Sequence, residues 1–201
     1  MYMIYTVKDT FKMPPEYFGD EIEKVATEVL ENKYESVMDS SMGLVLSVFN
    51  IRNISDGLIY PGDPATHHSV EFDMLTYTPQ VEEVVTGFVS ELVEFGAFVR
   101  IGPMDGLVHV SQITNEFLSF DRKMPAFVSK RSNKSIKKGD IVYAKISTVS
   151  IKKSIKDSKI ALTMKPEGLG KIEWIQNYGK EQRQQGQSKR GKAKQSGKTA
   201  K

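Results

Sequence analysis

Five short segments separated by turn formers dominate the second half of the sequence and most constrain its fold. They are Val84–Leu92, Ala97–Ile101, Gly106–Val110, Ile141–Ser150 and Lys159–Met164. Segments of this length, rich in β-branched and aromatic residues, are typical of strands. Five such strands in succession predict an all-β, five-stranded Greek-key barrel.

The first 79 residues carry a different pattern, which predicts an α+β domain that ends at Pro79. Tyr2–Lys12 alternates apolar and polar residues, as a half-buried strand does. Asp20–Asn32 is predicted to be an amphipathic helix with Asp20 as its N-cap, because apolar residues recur every three or four positions. Gly43–Ile51 and Ser69–Tyr77 are predicted to be two further strands.

A segment dense in turn formers, 56–68, joins the last two of these strands. It contains the pairs Asp56-Gly57, Pro61-Gly62 and Asp63-Pro64, which favour tight turns. We therefore expect a long loop here. Long loops in compact domains usually carry a function.

Charge divides the sequence into an acidic and a basic part. Residues 1–80 carry 5 Lys and Arg against 13 Asp and Glu, whereas residues 81–201 carry 23 against 12. This asymmetry indicates a protein partner for the acidic part and nucleic acid for the basic part, or simply two solvated surfaces. Phe117–Lys138, with 7 Lys and Arg against one Asp, is predicted to be a basic excursion on the barrel rim.

The composition limits the kinds of site and location that we expect. The sequence has no cysteine, which excludes disulfides, thiolate zinc sites and iron–sulfur clusters. No apolar run reaches the roughly 18 residues of a membrane span, and Met1–Asp9 lacks the apolar block of a signal peptide. We therefore expect a cytoplasmic protein without a membrane partner. Residues 176–201, rich in Gln, Gly and Lys, predict a flexible basic tail that either attracts phosphates or only aids solubility.

Candidate catalytic groups are sparse. Glu71 and Asp73 lie two residues apart without a third acid nearby in the sequence, so we expect a solvated strand face rather than a site for two Mg²⁺ ions. His67 and His68 point apart on an extended chain and cannot share one metal, and we expect both in the loop. The sequence thus predicts no catalytic residue, no metal site and no cofactor.

Two phenylalanines, Phe95 and Phe98, flank Gly96 in the predicted barrel. Residues three apart in a regular strand face opposite sides, so the rings share a surface only if the strand is kinked, as a bulge at Gly96 would allow. With His109 on the adjacent strand and basic residues nearby, the rings would form a stacking platform for single-stranded nucleic acid. The alternative is that both rings belong to the barrel core.

The order of several spaced motifs from Val81 to Lys165 resembles the S1 RNA-binding domain. The motifs are Gly87-Phe88-Val89, Phe95-Gly96-Ala97-Phe98-Val99, Gly106-Leu107-Val108-His109-Val110-Ser111, Lys138-Gly139-Asp140-Ile141-Val142 and Lys159-Ile160-Ala161-Leu162-Thr163-Met164-Lys165. The resemblance implies an OB-fold barrel with its aromatic and basic residues facing RNA. The RNA-binding residues that we predict are Phe95, Phe98, His109, Lys159 and Arg100.

Over about residues 1–175, the chain also resembles the E-prime polypeptide of archaeal RNA polymerase, the counterpart of the seventh-largest subunit of the eukaryotic enzyme. The matching motifs are Pro14-Pro15-x-x-Phe18-Gly19, Ser69-Val70-Glu71-Phe72-Asp73 and Gly168-Leu169-Gly170-Lys171-Ile172-Glu173-Trp174. The resemblance implies a ribonucleoprotein-like tip domain at 1–79 that docks on the polymerase core. It also implies an S1 barrel at 80–175 that meets emerging single-stranded RNA, ahead of the tail at 176–201.

The same resemblance implies partners and a docking surface. The chain would form a tight heterodimer with a small helical subunit, and the two would make a stalk on the core subunits. The core-docking candidates are Pro14, Pro15, Phe18, Gly19, Asp56, Gly57 and Pro61, with ordinary surface turns as the alternative. The sequence thus predicts a non-catalytic subunit of a DNA-directed RNA polymerase. The alternative function is a free-standing S1-type RNA-binding factor in translation or RNA decay.

Overall fold

The structure, a computed structural model, describes residues 1–176 except Ser40, Lys123, Met124, Asn133, Lys153 and Lys156. Apart from Gln176, the predicted basic tail lies outside the described residues. Two compact units divide the chain. The N-terminal unit contains Met1–Gln80 with Val149–Lys159, and the barrel unit contains Val81–Thr148 with the chain from Ile160 onward. Within the described residues, no helix is long and apolar enough to cross a membrane.

An antiparallel sheet forms most of the N-terminal unit. Its strands are β1 (Tyr2–Met13), β2 (Met38–Asp39), β3 (Gly43–Arg52), β4 (Leu58–Ile59) and β5 (Thr66–Tyr77). The strand order is β1-β5-β3-β2, and β4 pairs with the beginning of β5. The segment predicted to be a loop, 56–68, therefore contains one short strand and the first residues of another.

Helix α1 (Ile22–Tyr34) packs against β1 and β3. Its buried residues Val25, Ala26 and Leu30 join side chains that alternate inward from the sheet, such as Phe11 and Phe72. The predicted α+β class is confirmed. The predicted N-cap is wrong by one residue, because the Glu21 carbonyl, not that of Asp20, accepts the first bonds of the helix from Lys24 and Val25.

The barrel unit consists, in its described residues, of nine strands, a short helix and a further helical segment at 172–176. In chain order they are β6 (Val84–Val93), β7 (Gly96–Ile101), β8 (Met104–His109), α2 (Val110–Ile113), β9 (Leu118–Asp121), β10 (Ala126–Ser129), β11 (Ser135–Lys137), β12 (Ile141–Ser150), β13 (Lys159–Thr163) and β14 (Gly170–Lys171). The main sheet has the order β13-β8-β7-β6-β12-β14, and β13 also pairs with β12. This pairing closes five strands into a barrel and confirms the predicted fold.

Every second side chain along the barrel strands points inward and forms the barrel core. Ala97, Val99 and Ile101 of β7 are buried, so Phe98 and Arg100 between them lie on the outer face. The core therefore forms without the Phe98 ring, and the alternative that both rings are core residues is not what the structure shows.

A β-bulge in β6 and a close approach between the backbones of β7 and β8 shape this part of the barrel. Val89 pairs with Val99 but Glu91 pairs with Phe98, so the extra residue lies in β6. The bulge that we expect at Gly96 is therefore absent. Gly96 serves a different purpose, because a Cβ there would lie 2.3 Å from the Val108 carbonyl oxygen. Only glycine lets β7 and β8 approach this closely.

The segment predicted to be a basic excursion, 117–138, folds into a small sheet of its own. Strands β11, β10 and β9 pair in that order, both times antiparallel. Leu118, Phe127 and Ile136 are buried there. Strands of three or four residues are too short to show a clear alternation in the sequence.

Candidate nucleic-acid interface and docking loops

The rings of Phe95 and Phe98 meet on the outer face of the barrel. Their centroids are 6.4 Å apart and their planes make an angle of 83°, an edge-to-face contact. Phe95 is 52% exposed because it lies in the two-residue turn before β7, not in the strand. The turn, rather than a kinked strand, brings rings three residues apart to one surface.

His109 lies beside this ring pair, since its Cα partner across β7 and β8 is Gly96. The exposed imidazole accepts a hydrogen bond at Nδ1 from the Ser111 backbone N–H, 3.2 Å away, and lies 2.8 Å from the Ser111 hydroxyl. Nδ1 is thus an acceptor, which places the proton of the neutral ring on Nε2. An exposed N–H beside two aromatic rings can donate to a base or a phosphate oxygen.

Of the two predicted basic residues, Arg100 lies at the other end of this face and Lys159 lies at the start of β13. Arg100 follows Phe98 along β7 and pairs with Asp105, with Nε 3.0 Å and Nη2 3.3 Å from the carboxylate oxygens. This pairing raises the pKa of Arg100. Lys159 begins β13 two residues before Ala161, the Cα partner of Leu107, and its side chain is exposed.

Four of the five predicted RNA-binding residues therefore share the outer face of β7 and β8. Phe95, Phe98 and His109 make an aromatic group, and Arg100 lies toward the Asp105 end of β8. Lys159, which groups with the N-terminal unit, is exposed at the first position of β13. Aromatic rings can stack bases, and exposed cations can neutralise phosphates. Arg100 is not a free cation, because Asp105 already balances its charge.

Five of the predicted docking residues, Pro14, Pro15, Phe18, Gly19 and Pro61, lie in turns at one end of the N-terminal sheet. Thr66 pairs with Met13 of β1 on one side and with Ile59 of β4 on the other. Because Pro14 follows Met13 and Tyr60 follows Ile59, the turns at 14–19 and 60–65 leave the sheet at the same end, whereas Gly57 lies beside β5 at His68. Pro15–Tyr17 forms one turn of 3-10 helix, Gly19 has a φ of 106° that favours glycine, and the exposed members of the set are Pro15, Phe18, Gly19, Asp56, Gly57 and Pro61.

A buried histidine and an aspartate fasten the 56–65 loop to β5. His68 lies 3.0 Å from the Ser55 carbonyl and 2.9 Å from the Thr66 hydroxyl. A Cβ on Gly57 would lie 2.8 Å from the His68 ring, so glycine lets the loop cross over it. Asp63 contacts Lys12 at 2.8 Å and His67 at 3.0 Å, and these partners hold the pKa of its carboxyl well below the usual range.

Three apolar side chains of this loop point to solvent and were not among the predicted site residues. Leu58 is 62% exposed, Ile59 72% and Tyr60 53%, close to the 52% of Phe18 in the neighbouring turn. Leu58, Ile59 and Tyr60 are contiguous in the sequence, and exposed apolar residues that cluster on a surface mark interaction sites. The signal in the sequence was the apolar run Leu58-Ile59-Tyr60 between turn formers. We call Phe18, Leu58, Ile59 and Tyr60 the apolar loop patch.

Glu71 and Asp73 do not form the solvated strand face that we expect. Asp73 is only 8% exposed, and Arg52 bonds both its oxygens while bonding Glu71 through Nε. The Asp73 carboxyl also accepts hydrogen bonds from Thr6 and Asn50. These hydrogen bonds, that of Arg52 above all, lower the pKa of Asp73. Both acids thus have structural partners and are not arranged as metal ligands.

The described residues contain no group of three or more His, Asp or Glu side chains that could hold a metal ion. The two adjacent histidines lie on β5, not in the loop as we expect, because the strand begins at Thr66. They point apart: His68 is buried, whereas His67 is half-buried and contacts Asp63 and Tyr60.

Comparison with known families identifies a matching family for each of the two parts of the chain. Residues 8–64 match the family model of the SHS2 domain found in the N terminus of Rpb7p/Rpc25p/MJ0397. Residues 78–161 match the S1 RNA-binding domain. The first match covers α1 and the strands of the N-terminal sheet up to β4, ending before β5, and the second covers most of the barrel.

Relatives of similar length support the same assignment. DNA-directed RNA polymerase subunit Rpo7 of Sulfolobus acidocaldarius is 44% identical over 175 residues, which is 87% of this chain and 95% of that protein. Rpo7 of Saccharolobus solfataricus is 41% identical, with 87% and 97% covered. DNA-directed RNA polymerase III subunit RPC8 of Bos taurus is 24% identical, with 64% and 63% covered. The resemblance inferred from the motifs is confirmed: the chain belongs to the Rpo7 family of DNA-directed RNA polymerase subunits.

Proposed function

We propose that this chain is a non-catalytic stalk subunit that docks on the polymerase core and guides single-stranded nascent RNA. The tip domain, which we assign to residues 1–79, makes the core contact. The barrel, which we assign to residues 80–175, meets the transcript. A small helical subunit completes the stalk as the partner of this chain.

The observation that carries the RNA-binding part of the proposal is the exposed Phe95 ring, which contacts the partly buried Phe98 ring beside His109. Neither ring belongs to the barrel interior, which is already filled by residues such as Val99 and Val108. Stacking on an aromatic ring is worth about 1 to 3 kcal/mol per base and tolerates every base. The platform therefore fits a transcript of any sequence, with affinity that falls as salt rises.

The core-docking part of the proposal rests on the apolar loop patch. Its four side chains lie on the turn at 14–19 and on β4 with the residue that follows it, and Asp63 and His68 fix the second of these segments. A fixed, exposed apolar patch loses little conformational entropy when a protein partner covers it. The acidic balance of residues 1–80 adds selectivity for a partner surface rather than for nucleic acid.

Purification from the native cells through a tag on this chain tests the proposal. We expect two large polymerase subunits and one small helical protein in stoichiometric amounts, identified by mass spectrometry. Ile59→Asp should remove the large subunits, because it places a charge in the apolar patch. Phe95→Ala should retain them all, because that ring belongs to the other surface. Ribosomal or RNA-decay companions, or no stable companion, would instead favour the free-standing factor.

A further inference from the structure

Phe117 is the most exposed large apolar side chain of the described residues, at 86%. It stands directly before β9, whose first residue, Leu118, is buried. Neighbouring residues of an extended chain point to opposite sides, so the burial of Leu118 turns the Phe117 ring outward. A single exposed ring is ordinary on a protein surface, and its surroundings decide whether it has a role.

The ring borders a cleft of about 470 Å³ between α2 and the segment that leads into β9. The cleft is open to solvent rather than enclosed. The groups that line the cleft beside Phe117 include Ser111, Thr114, Asn115 and Lys165. An aromatic ring, neutral hydrogen-bonding side chains and one cation are the groups that bind a nucleotide of single-stranded RNA.

The cleft continues directly from the aromatic group of the platform. Ser111, which lines it, contacts His109 Nδ1, and the Val110 N–H donates to the Phe95 carbonyl at 2.9 Å. A strand of RNA that leaves Phe95 and His109 over Ser111 therefore enters the cleft. This continuity lies entirely within the barrel unit.

Hydrogen bonds hold the cation of the cleft in place. The Met164 N–H donates to the Gln112 carbonyl at 2.8 Å, and the Thr163 hydroxyl donates to the Gln112 side-chain oxygen at 3.0 Å. The Lys165 N–H donates to the Thr163 hydroxyl. These bonds fix the backbone of Lys165 beside α2, while its side chain remains exposed.

The acid that lines the cleft, Glu116, is turned toward partners in the β9–β11 sheet. It accepts hydrogen bonds from the hydroxyls of Ser129 and Ser132, and Lys134 lies 3.5 Å from it. These partners stabilise the negative charge of Glu116 on the side that faces the β9–β11 sheet. Glu116 therefore repels a phosphate near Lys165 only weakly. The segment that contains β9–β11 also carries the exposed basic residues Lys130, Arg131, Lys137 and Lys138.

We propose that this cleft binds the nucleotide of single-stranded RNA that follows those on the platform, with its base stacked on Phe117 and a phosphate near Lys165. This inference rests on the proposed RNA-binding function of the barrel. It assigns the surface around Phe117, at the start of the β9–β11 sheet, to the transcript rather than to a protein partner.

Fluorescence anisotropy with labelled single-stranded RNAs of increasing length, on the full chain at moderate salt, tests the proposal. Phe117→Leu keeps the apolar character and removes the ring. It should weaken binding of the longer RNAs about 5- to 100-fold, as expected for one lost stack, and leave the shortest RNAs unaffected. Phe117→Tyr should bind like the unmodified chain, and Lys165→Gln should reduce the salt slope by about 0.7.

The variants separate this inference from the function on which it rests. The control Phe49→Leu removes an exposed ring of the N-terminal unit that lies outside the apolar loop patch, and it should leave RNA affinity unchanged. If the platform variant Phe95→Ala/Phe98→Ala loses RNA while Phe117→Leu binds every length normally, the inference is wrong and the function stands. If the platform variant also binds normally, the RNA-binding function itself fails. Loss of polymerase companions by Phe117→Leu at unchanged RNA affinity would assign the cleft to a protein and overturn the proposal.

Discussion

The guanidinium of Arg52 holds both carboxylate oxygens of Asp73, with Nη1 2.9 Å and Nη2 3.1 Å away. Strand β3 makes this contact possible because its register with β5 shifts between Phe49 and Arg52. Asn50, at a φ of 53°, lies within the shift and also donates to Asp73. The pair thus joins β3 to β5 on one face of the N-terminal sheet.

This pair predicts how the stability of the N-terminal unit depends on pH. The folded-state pKa of Asp73 is lowered, so its stabilisation is complete above the unfolded value of about 4 and is lost as pH falls through the folded value. Asp73→Asn should lower the thermal midpoint at pH 7, and its deficit should shrink between pH 4 and 2. Asp56→Asn, at an exposed loop carboxylate, is the control and should show little deficit. An equal deficit of Asp73→Asn at pH 7 and at pH 2 would contradict this assignment.

The platform predicts a loss of RNA affinity from two ring deletions. Phe95→Ala/Phe98→Ala should weaken single-stranded RNA binding by about 1 to 3 kcal/mol per lost stack. Circular dichroism should remain unchanged, because neither ring belongs to the buried core. Phe18→Ala, at a ring equally exposed in the N-terminal unit, is the matched control. Unchanged affinity in the double variant would refute the platform.

The Arg100–Asp105 pair predicts a gain of affinity. Asp105→Asn removes an acid from the RNA-facing surface and frees the guanidinium to meet a phosphate. We expect RNA affinity to rise about 2- to 5-fold at low salt, the size of an exposed ion pair, and the advantage to shrink as salt increases. Asp56→Asn removes the same charge far along the chain and should change affinity much less. A fall in affinity would show that Asp105 itself serves the RNA.

The close approach at Gly96 predicts a stability difference between two glycine variants. Gly96→Ala places a methyl group 2.3 Å from a backbone oxygen, whereas Gly106→Ala places one 2.6 Å from the Leu162 side chain, which can shift. Gly96→Ala should destabilise the barrel by about 1 to 3 kcal/mol and Gly106→Ala by less. Denaturant unfolding of both variants measures the difference. The reverse order would mean that the β7–β8 spacing is not set by Gly96.

The parts of the fold that local periodicity specifies were predictable from the sequence. Strand β5 alternates buried Val70, Phe72 and Met74 with more exposed positions, and the five barrel strands carry similar signals. The β9–β11 sheet was not predictable in this way. Its strands have three or four residues and are specified by long-range burial of side chains such as Phe127 and Ile136.

The candidate site was predictable in composition but not in geometry. Phe95, Phe98 and His109 form one group, yet a turn before β7 brings the rings together instead of a bulge at Gly96. Arg52 and Asp73 are 21 residues apart in the sequence. The register shift in β3 that orients Arg52 toward Asp73 leaves no pattern in the local sequence. The exposure of Phe117 was not predictable, because it depends on the burial of the next residue in a sheet without a local signal.

Photo-cross-linking of the nascent transcript tests the central claim most directly. The assembled polymerase, purified through this chain and stalled on a template, would carry a transcript with 4-thiouridine at single positions upstream of the active centre. We predict cross-links to peptides of the barrel around Phe95 and His109, and their loss in the Phe95→Ala/Phe98→Ala enzyme at unchanged subunit composition. Cross-links that persist in the double variant, or that never reach the barrel at any transcript position, would contradict the claim that this surface guides the RNA.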